Sequence, residues 1–138
     1  MPDAPAVVYW DSSAVISALF QDPNTKKAKI FAEREALHLL TTLAYAEVSA
    51  VISRMRREHA LTEVLSQSAL EVLDRGPWRR ISISTEWALM KTLAKKHSLR
   101  GADLWHLATA VALTHEFPEI SLLTFDQKLM AAAEIEKL

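Results

Sequence analysis

The chain opens on an apolar run, Ala6-Val7-Val8-Tyr9-Trp10, with no alternating polar face. That is the pattern of a strand covered on both sides, as parallel sheets require. Asp11-Ser12-Ser13 follows, and any one of the three can cap an apolar helix over 14–20. A turn at Asp22-Pro23-Asn24 leads into a second helix, started by Asn24 or Thr25 and running to residue 35. Residues 37–41 form a second short apolar strand. A helix over 43–59 places Ala44, Val48, Val51, Ile52 and Met55 on one face. Another over 62–75 is stopped by Gly76-Pro77. Polar and apolar residues alternate over 80–84, an edge-strand pattern, and a helix over 85–97 follows. Gly101-Ala102-Asp103 opens a strongly apolar helix to residue 115; 120–125 reads as a strand, and 128–134 as the last helix. The tail, 135–138, reads as a small edge strand or a frayed end. Strands alternating with helical segments predict an α/β layered domain with a mainly parallel sheet.

Composition narrows the classes. The 138 residues fit one domain and are half hydrophobic by a broad count, enough to bury a core without staples. Sixteen Lys and Arg against 17 Asp and Glu leave a net charge of −1, which excludes a histone-like coat protein but not local basic patches. With no cysteine, disulfide scaffolds, zinc ribbons, thiol nucleophiles and iron–sulfur clusters are excluded. The first five residues hold two prolines and an aspartate, unlike a signal segment, and no apolar run nears the roughly 20 residues of a membrane span. The expectation is a cytoplasmic protein without membrane attachment.

Four acids are placed informatively in this pattern. Asp11 follows the first strand, Asp126 follows the fourth, Asp103 lies in the first turn of a buried helix, and Glu47 borders the apolar stripe of its own helix. Sites in parallel α/β sheets form outside the carboxyl ends of the strands. Taken singly, each acid has a structural reading. Asp11 and Asp126 read as helix caps, Asp103 as a complement to its helix dipole, and Glu47 as a solvated residue free to pair with Arg54. Taken together they would repel: two carboxylates ~4 Å apart cost roughly 4 kcal/mol at an effective dielectric near 20. Such a cluster needs a cation, and oxygen ligands favour Mg²⁺ or Mn²⁺ over Zn²⁺. No histidine pair has the H-x-x-x-H spacing of a helical zinc site.

The segments carrying these acids resemble the PIN domain family. Trp10-Asp11-Ser12-Ser13-Ala14 is similar to the family's opening motif, and the acid in Ala44-Tyr45-Ala46-Glu47-Val48 to its second. The stretch from Leu99 to Ala110, through Arg100-Gly101-Ala102-Asp103, is similar to the third and the most specific; Leu123-Thr124-Phe125-Asp126 is similar to the fourth. The resemblance spans nearly the whole chain, at the size of stand-alone VapC-type toxins. It implies one PIN-like domain over 1–138, a three-layer α/β/α fold whose mainly parallel central sheet has four or five strands. It further implies a Mg²⁺-dependent endoribonuclease, with Mn²⁺ as a substitute, that hydrolyses RNA by metal-activated water as the toxin of a toxin–antitoxin pair. Carried over by position, Asp11 and Asp103 would be the metal ligands, with Glu47 and Asp126 completing the acidic pocket. Ser12 and Thr124 would stand behind them as hydroxyl partners. A homodimer and a small antitoxin partner also come with the resemblance. Gly101 departs from the small alanine-like residue of many relatives, with little expected consequence.

Basic residues cluster at Arg54, Arg56 and Arg57, at Arg79 and Arg80, and at Lys95, Lys96 and Arg100. Each group reads as a solvated helix face. Arg100, three residues before Asp103, is the candidate for an RNA phosphate. Of the tryptophans, Trp10 and Trp105 read as core, and Trp78 as the exposed one available to RNA or a partner. The five histidines read as structural or surface residues. Two other classes compete. A phosphoryl-transfer protein of the dehalogenase type would want a second aspartate where Ser13 stands, and a receiver an acidic pair after the first strand. A non-catalytic PIN-like binding module would be expected to have lost two or more of the acids.

Overall fold

The computed structural model describes residues 6–138; the N-terminal residues 1–5, read above for a signal segment, lie outside the described part. Four strands, β1 (Ala6–Trp10), β2 (Ala36–Thr41), β3 (Trp78–Ile81) and β4 (Ser121–Leu123), form a sheet of order β3-β2-β1-β4 in which every pairing is parallel. Parallel neighbours need long crossovers, and six helices supply them: α1 (Ser12–Leu19), α2 (Thr25–Ala32), α3 (Thr42–Arg57), α4 (Glu63–Arg75), α5 (Trp87–Lys96) and α6 (Gly101–Leu113); α7 (Gln127–Ile135) follows β4.

The apolar run of β1 feeds two cores. Val7 and Tyr9 face Leu107, Leu113 and Leu129 beneath α5, α6 and α7. Val8 and Trp10 face Val15, Val48 and Leu73 beneath α1, α3 and α4. Successive side chains leave a strand on opposite faces, so a strand buried on both sides must be apolar at every position. The result is the three-layer α/β/α arrangement of the PIN fold, with four strands in the sheet. From β1 the chain builds outward through β2 to β3, then returns to add β4 on the other side of β1. The topological switch point lies between β1 and β4, where a ligand crevice is expected.

Several boundaries differ from the sequence reading. The third strand is Trp78–Ile81, two residues earlier than the alternating 80–84 pattern suggests. Burial of Trp78, which is only 8% exposed, decides the difference. Its ring packs edge-on against Trp10 at 5.4 Å, so it is core and not the exposed base-stacking surface expected. Gly76 permits this approach: a Cβ there would meet the Val72 carbonyl at 2.6 Å and the Trp78 ring at 2.7 Å. Trp105, expected in the core, is only partly buried, while Trp87 is almost fully exposed. The second helix ends at Ala32, short of residue 35, and Asn24 makes no side-chain cap. Thr25 organises that turn instead, its hydroxyl donating to the Phe20 carbonyl and accepting from the Asp22 N–H. The tail continues α7 to Ile135 and ends in a turn, not a strand. No helix among the described residues is long and apolar enough to cross a membrane.

Candidate active site at the carboxyl edge of the sheet

Asp11 leaves β1 at the switch point, its N–H bonded to the Leu123 carbonyl of β4. Its side chain is 2% exposed and bonded at both oxygens. Oδ1 accepts from the Ala14 N–H (2.9 Å) and the Ser13 hydroxyl (2.7 Å), and Oδ2 accepts from the Thr124 hydroxyl (2.5 Å). The structural reading of Asp11 as the cap of α1 is therefore correct, and it does not exhaust the carboxylate. Oδ2 keeps a lone pair with no donor assigned to it. Burial pushes the Asp11 carboxyl above its ordinary range, and the three hydrogen bonds pull against that shift.

The same hydroxyls tie β4 to this corner. Ser13 Oγ also accepts from the Phe125 N–H, and Thr124 Oγ1 from the Asp126 N–H. Asp126 caps α7 through its Oδ1, which accepts from the Leu129 N–H at 2.9 Å. Of the two hydroxyls expected behind the acids, Thr124 is in contact with Asp11. Ser12 makes no side-chain hydrogen bond among the described residues; Ser13 takes that place. In the first turn of α1, the second helical residue and not the first turns its hydroxyl back to the cap.

Asp103 lies in the first turn of α6 and is half-buried. With Asp126 it lines a cleft of about 390 Å³ whose walls include Arg100, Gln127 and Lys128. Burial first, then the charges of Asp126 and Asp11 and more weakly of Glu47, push its carboxyl up, with His106 opposing. No donor among the described residues reaches it. A Cβ added to Gly101 meets nothing, so the open start of α6 demands no glycine.

Glu47 comes from α3, in the opposite helical layer. Its Oε1 is 2.8 Å from Nε2 of His106 on α6, and the Nδ1 of that ring is 2.6 Å from the Tyr9 hydroxyl on β1. The pairing with Arg54 considered for Glu47 is not formed. The sequence reading passed over Tyr9 and took His106, with the other histidines, as a structural or surface residue: the His106–Glu47 and Tyr9–His106 contacts span 59 and 97 positions and have no local spacing signature.

The four acids thus border one edge, near enough for their charges to act on Asp103. Among the described residues, however, no group of three or more acidic or histidine side chains is gathered tightly enough to hold a metal ion as it stands. The donors are all carboxylate oxygens, a hard set that fits Mg²⁺ or Mn²⁺ and not Zn²⁺. Asp103 has no hydrogen bond to break before turning. The residues fit a divalent cation in chemistry and need side-chain rotation to enclose it.

The expected solvated character of the basic clusters holds for most of them. Arg56 meets Glu63, Arg57 bonds Ser53, Arg80 meets Asp74, and Lys96 meets the partly buried Glu136, each basic residue itself exposed. Arg100 is exposed at the start of α6 on the cleft wall. Lys128, which the sequence reading passed over, lines the same cleft.

An all-parallel sheet of this order, sandwiched between two helical layers with acids after β1 and β4, defines a PIN-type domain. The profile of the PIN domain family matches residues 8–135, and the chain belongs to that family. Among curated proteins it is similar to ribonuclease VapC45 of Mycobacterium tuberculosis strain CDC 1551 and to ribonuclease VapC49 of strain H37Rv. It is 30% identical to each over 135 residues, covering 92% of this chain and 89% of the relative. Two solved structures share the fold at a TM-score of 0.61. One is VapBC2 of Rickettsia felis bound to a DNA fragment from their promoter, 14% identical over 91% of this chain and 92% of the other. The other is the Mycobacterium tuberculosis sarcin–ricin loop cleaving toxin VapC20, 13% identical over 91% and 94%.

Proposed function

We propose that this protein is a metal-dependent endoribonuclease and the toxin of a type II toxin–antitoxin pair. In this reading one PIN domain acts in the cytoplasm on RNA and is restrained by a small antitoxin protein. The observation that carries it is geometric: Asp103 and Asp126 line one cleft at a topological switch point, beside the buried Asp11 that shares Thr124 with Asp126. The names of the ribonuclease relatives support the substrate class, and the VapBC2 neighbour supports the antitoxin. A homodimer is part of the proposal.

Asp11 and Asp103 would hold a Mg²⁺ or Mn²⁺ ion, with Glu47 and Asp126 completing its surroundings directly or through water. Such an ion supplies Lewis acidity toward a phosphate oxygen and toward the attacking water. The chain's own residues prepare for this. Ser13, Thr124 and the Ala14 N–H fix Asp11 in one orientation, leaving an Oδ2 lone pair free. Asp103, which has no hydrogen bond to break, would be free to turn toward such an ion. Arg100 and Lys128 give the RNA backbone cationic contacts on the cleft wall, which position a strand without reading its sequence. No side chain is required as nucleophile.

Asp103→Asn tests the proposal. The variant should fold as the wild type does and lose RNA cleavage with Mg²⁺ or Mn²⁺ by ~10²-fold or more, the scale of removing one electrostatic stabiliser from an active site. Equal metal-dependent cleavage by both proteins would remove Asp103 from the mechanism. The non-catalytic alternative, a module that only binds a partner, predicts no cleavage from either protein.

A further inference from the structure

His106 is 1% exposed and wedged between two aromatic rings, Tyr9 at 5.7 Å and Trp105 at 5.5 Å, each nearly perpendicular to it. The imidazole is thus bordered by aromatic rings and buried. Its two nitrogens have separate partners in separate layers, the Tyr9 hydroxyl of the sheet and the Glu47 carboxylate of α3. An ionised carboxylate only accepts hydrogen bonds, so Nε2 must carry the hydrogen that points at Glu47. A phenol keeps its proton at neutral pH, so the Tyr9 hydroxyl can donate to Nδ1. With the ring neutral, the hydrogen-bond chain runs from phenol to imidazole to carboxylate.

Glu47 is the flexible end of this chain. Its side chain is 31% exposed, and a glutamate that free loses rotamer entropy when fixed. The rigid element behind it offsets that cost before any ligand arrives. His106 also lies one helical turn beyond Asp103, so α6 carries one acid of the cleft and the ring that stands behind another.

We propose that His106, itself fixed by Tyr9, is the positioning residue for Glu47, presenting its carboxylate to a divalent cation or that cation's water in the acidic cleft. The assignment rests on the reading that this cleft takes such an ion. Partners behind metal-ligating groups typically contribute 10- to 100-fold to affinity or activity.

Two amide variants separate positioning from simple packing. In His106→Gln the amide reaches the Nε2 position and can donate to Glu47. In His106→Asn it stops at the Nδ1 position, keeping only the Tyr9 partner. Mn²⁺ affinity is read from the free-ion electron paramagnetic resonance signal, alongside kcat and KM for RNA. His106→Gln should stay within ~3-fold of wild type, while His106→Asn should lose ~10- to 100-fold in Mn²⁺ affinity and kcat with KM for RNA unchanged. In a Glu47→Gln background the difference between the two should vanish, since the effect passes through Glu47. Equal behaviour of the two variants, or a difference that persists in that background, overturns the assignment. Should either variant fail to fold, Tyr9→Phe takes its place: loss of Mn²⁺ affinity confined to the Glu47 background supports the proposal, and no loss overturns it. If Glu47→Gln alone binds Mn²⁺ and cleaves RNA like wild type, the reading of the site fails, and the positioning role with it.

Discussion

Asp11 and Asp103 face the same edge of the sheet from opposite circumstances. Asp11 is sealed at the β1–β4 corner, with two hydroxyls and a backbone N–H on its carboxylate. Asp103 stands half-buried at the start of α6 with no donor on it and other acids nearby. Both carboxyls are pushed up, by burial above all, but only Asp103 is raised further by the other acids of the site. The contrast separates two tasks that a ligand-binding carboxylate can have. Asp11 is part of the scaffold as well as of the proposed site; Asp103 is held in place by its helix alone, with no hydrogen bond to keep it from a ligand.

Truncation separates the two most sharply. Asp11→Ala removes a helix cap and orphans the Ser13 and Thr124 hydroxyls, and should cost ~2–4 kcal/mol of folding stability. Asp103→Ala removes no hydrogen bond and should stay within ~0.5 kcal/mol. Urea unfolding of both variants in a chelator measures the difference, and equal losses would erase the distinction. Removing the cations of the cleft wall should have a smaller effect. Arg100→Ala and Lys128→Ala should each raise KM for RNA several-fold and reduce the salt slope by ~0.7 per lost phosphate contact, leaving kcat nearly unchanged. A change confined to kcat would put those side chains elsewhere in the reaction.

The smallest expected effect is a pH dependence. A carboxyl raised in the fold contributes stability that is fully present below the ordinary carboxylate range and lost as pH rises through its raised value. The metal-free protein should therefore lose part of its melting temperature across that interval through Asp11 and Asp103. Glu136 works the other way: despite its burial, Lys96 and His97 hold its carboxyl down. The difference between wild type and Asp103→Asn cancels that contribution. Melting curves in chelator should show Asp103→Asn relatively more stable at neutral pH, the gap closing in acid. A gap independent of pH would contradict the raised carboxyl.

Much of this arrangement was legible from the chain. The unalternating β1 run, the acids after the first and fourth strands, and the apolar α6 all describe features that a parallel sheet imposes locally. The reading failed where long-range packing decides. Alternation over 80–84 concealed that burial of Trp78 starts β3 earlier. Ser12 and Ser13 are indistinguishable by composition, and only the winding of α1 selects Ser13 for Asp11. His106 gave no spacing signal because its partners lie on β1 and α3, and a contact between layers leaves no periodicity in sequence. Ala108 and Ala110, on the same helix, are core residues as the apolar pattern predicts. The one polar member of that buried stretch with partners in both other layers was the informative one.

The central claim is that the carboxylates, separated along the chain, meet around divalent metal. Its most direct measurement is the anomalous difference map of crystals soaked in Mn²⁺. A peak between the carboxylates of Asp11 and Asp103, with Asp103 turned toward it, is the predicted result. A map with no peak at those carboxylates, under conditions where the same protein preparation cleaves RNA, would contradict it.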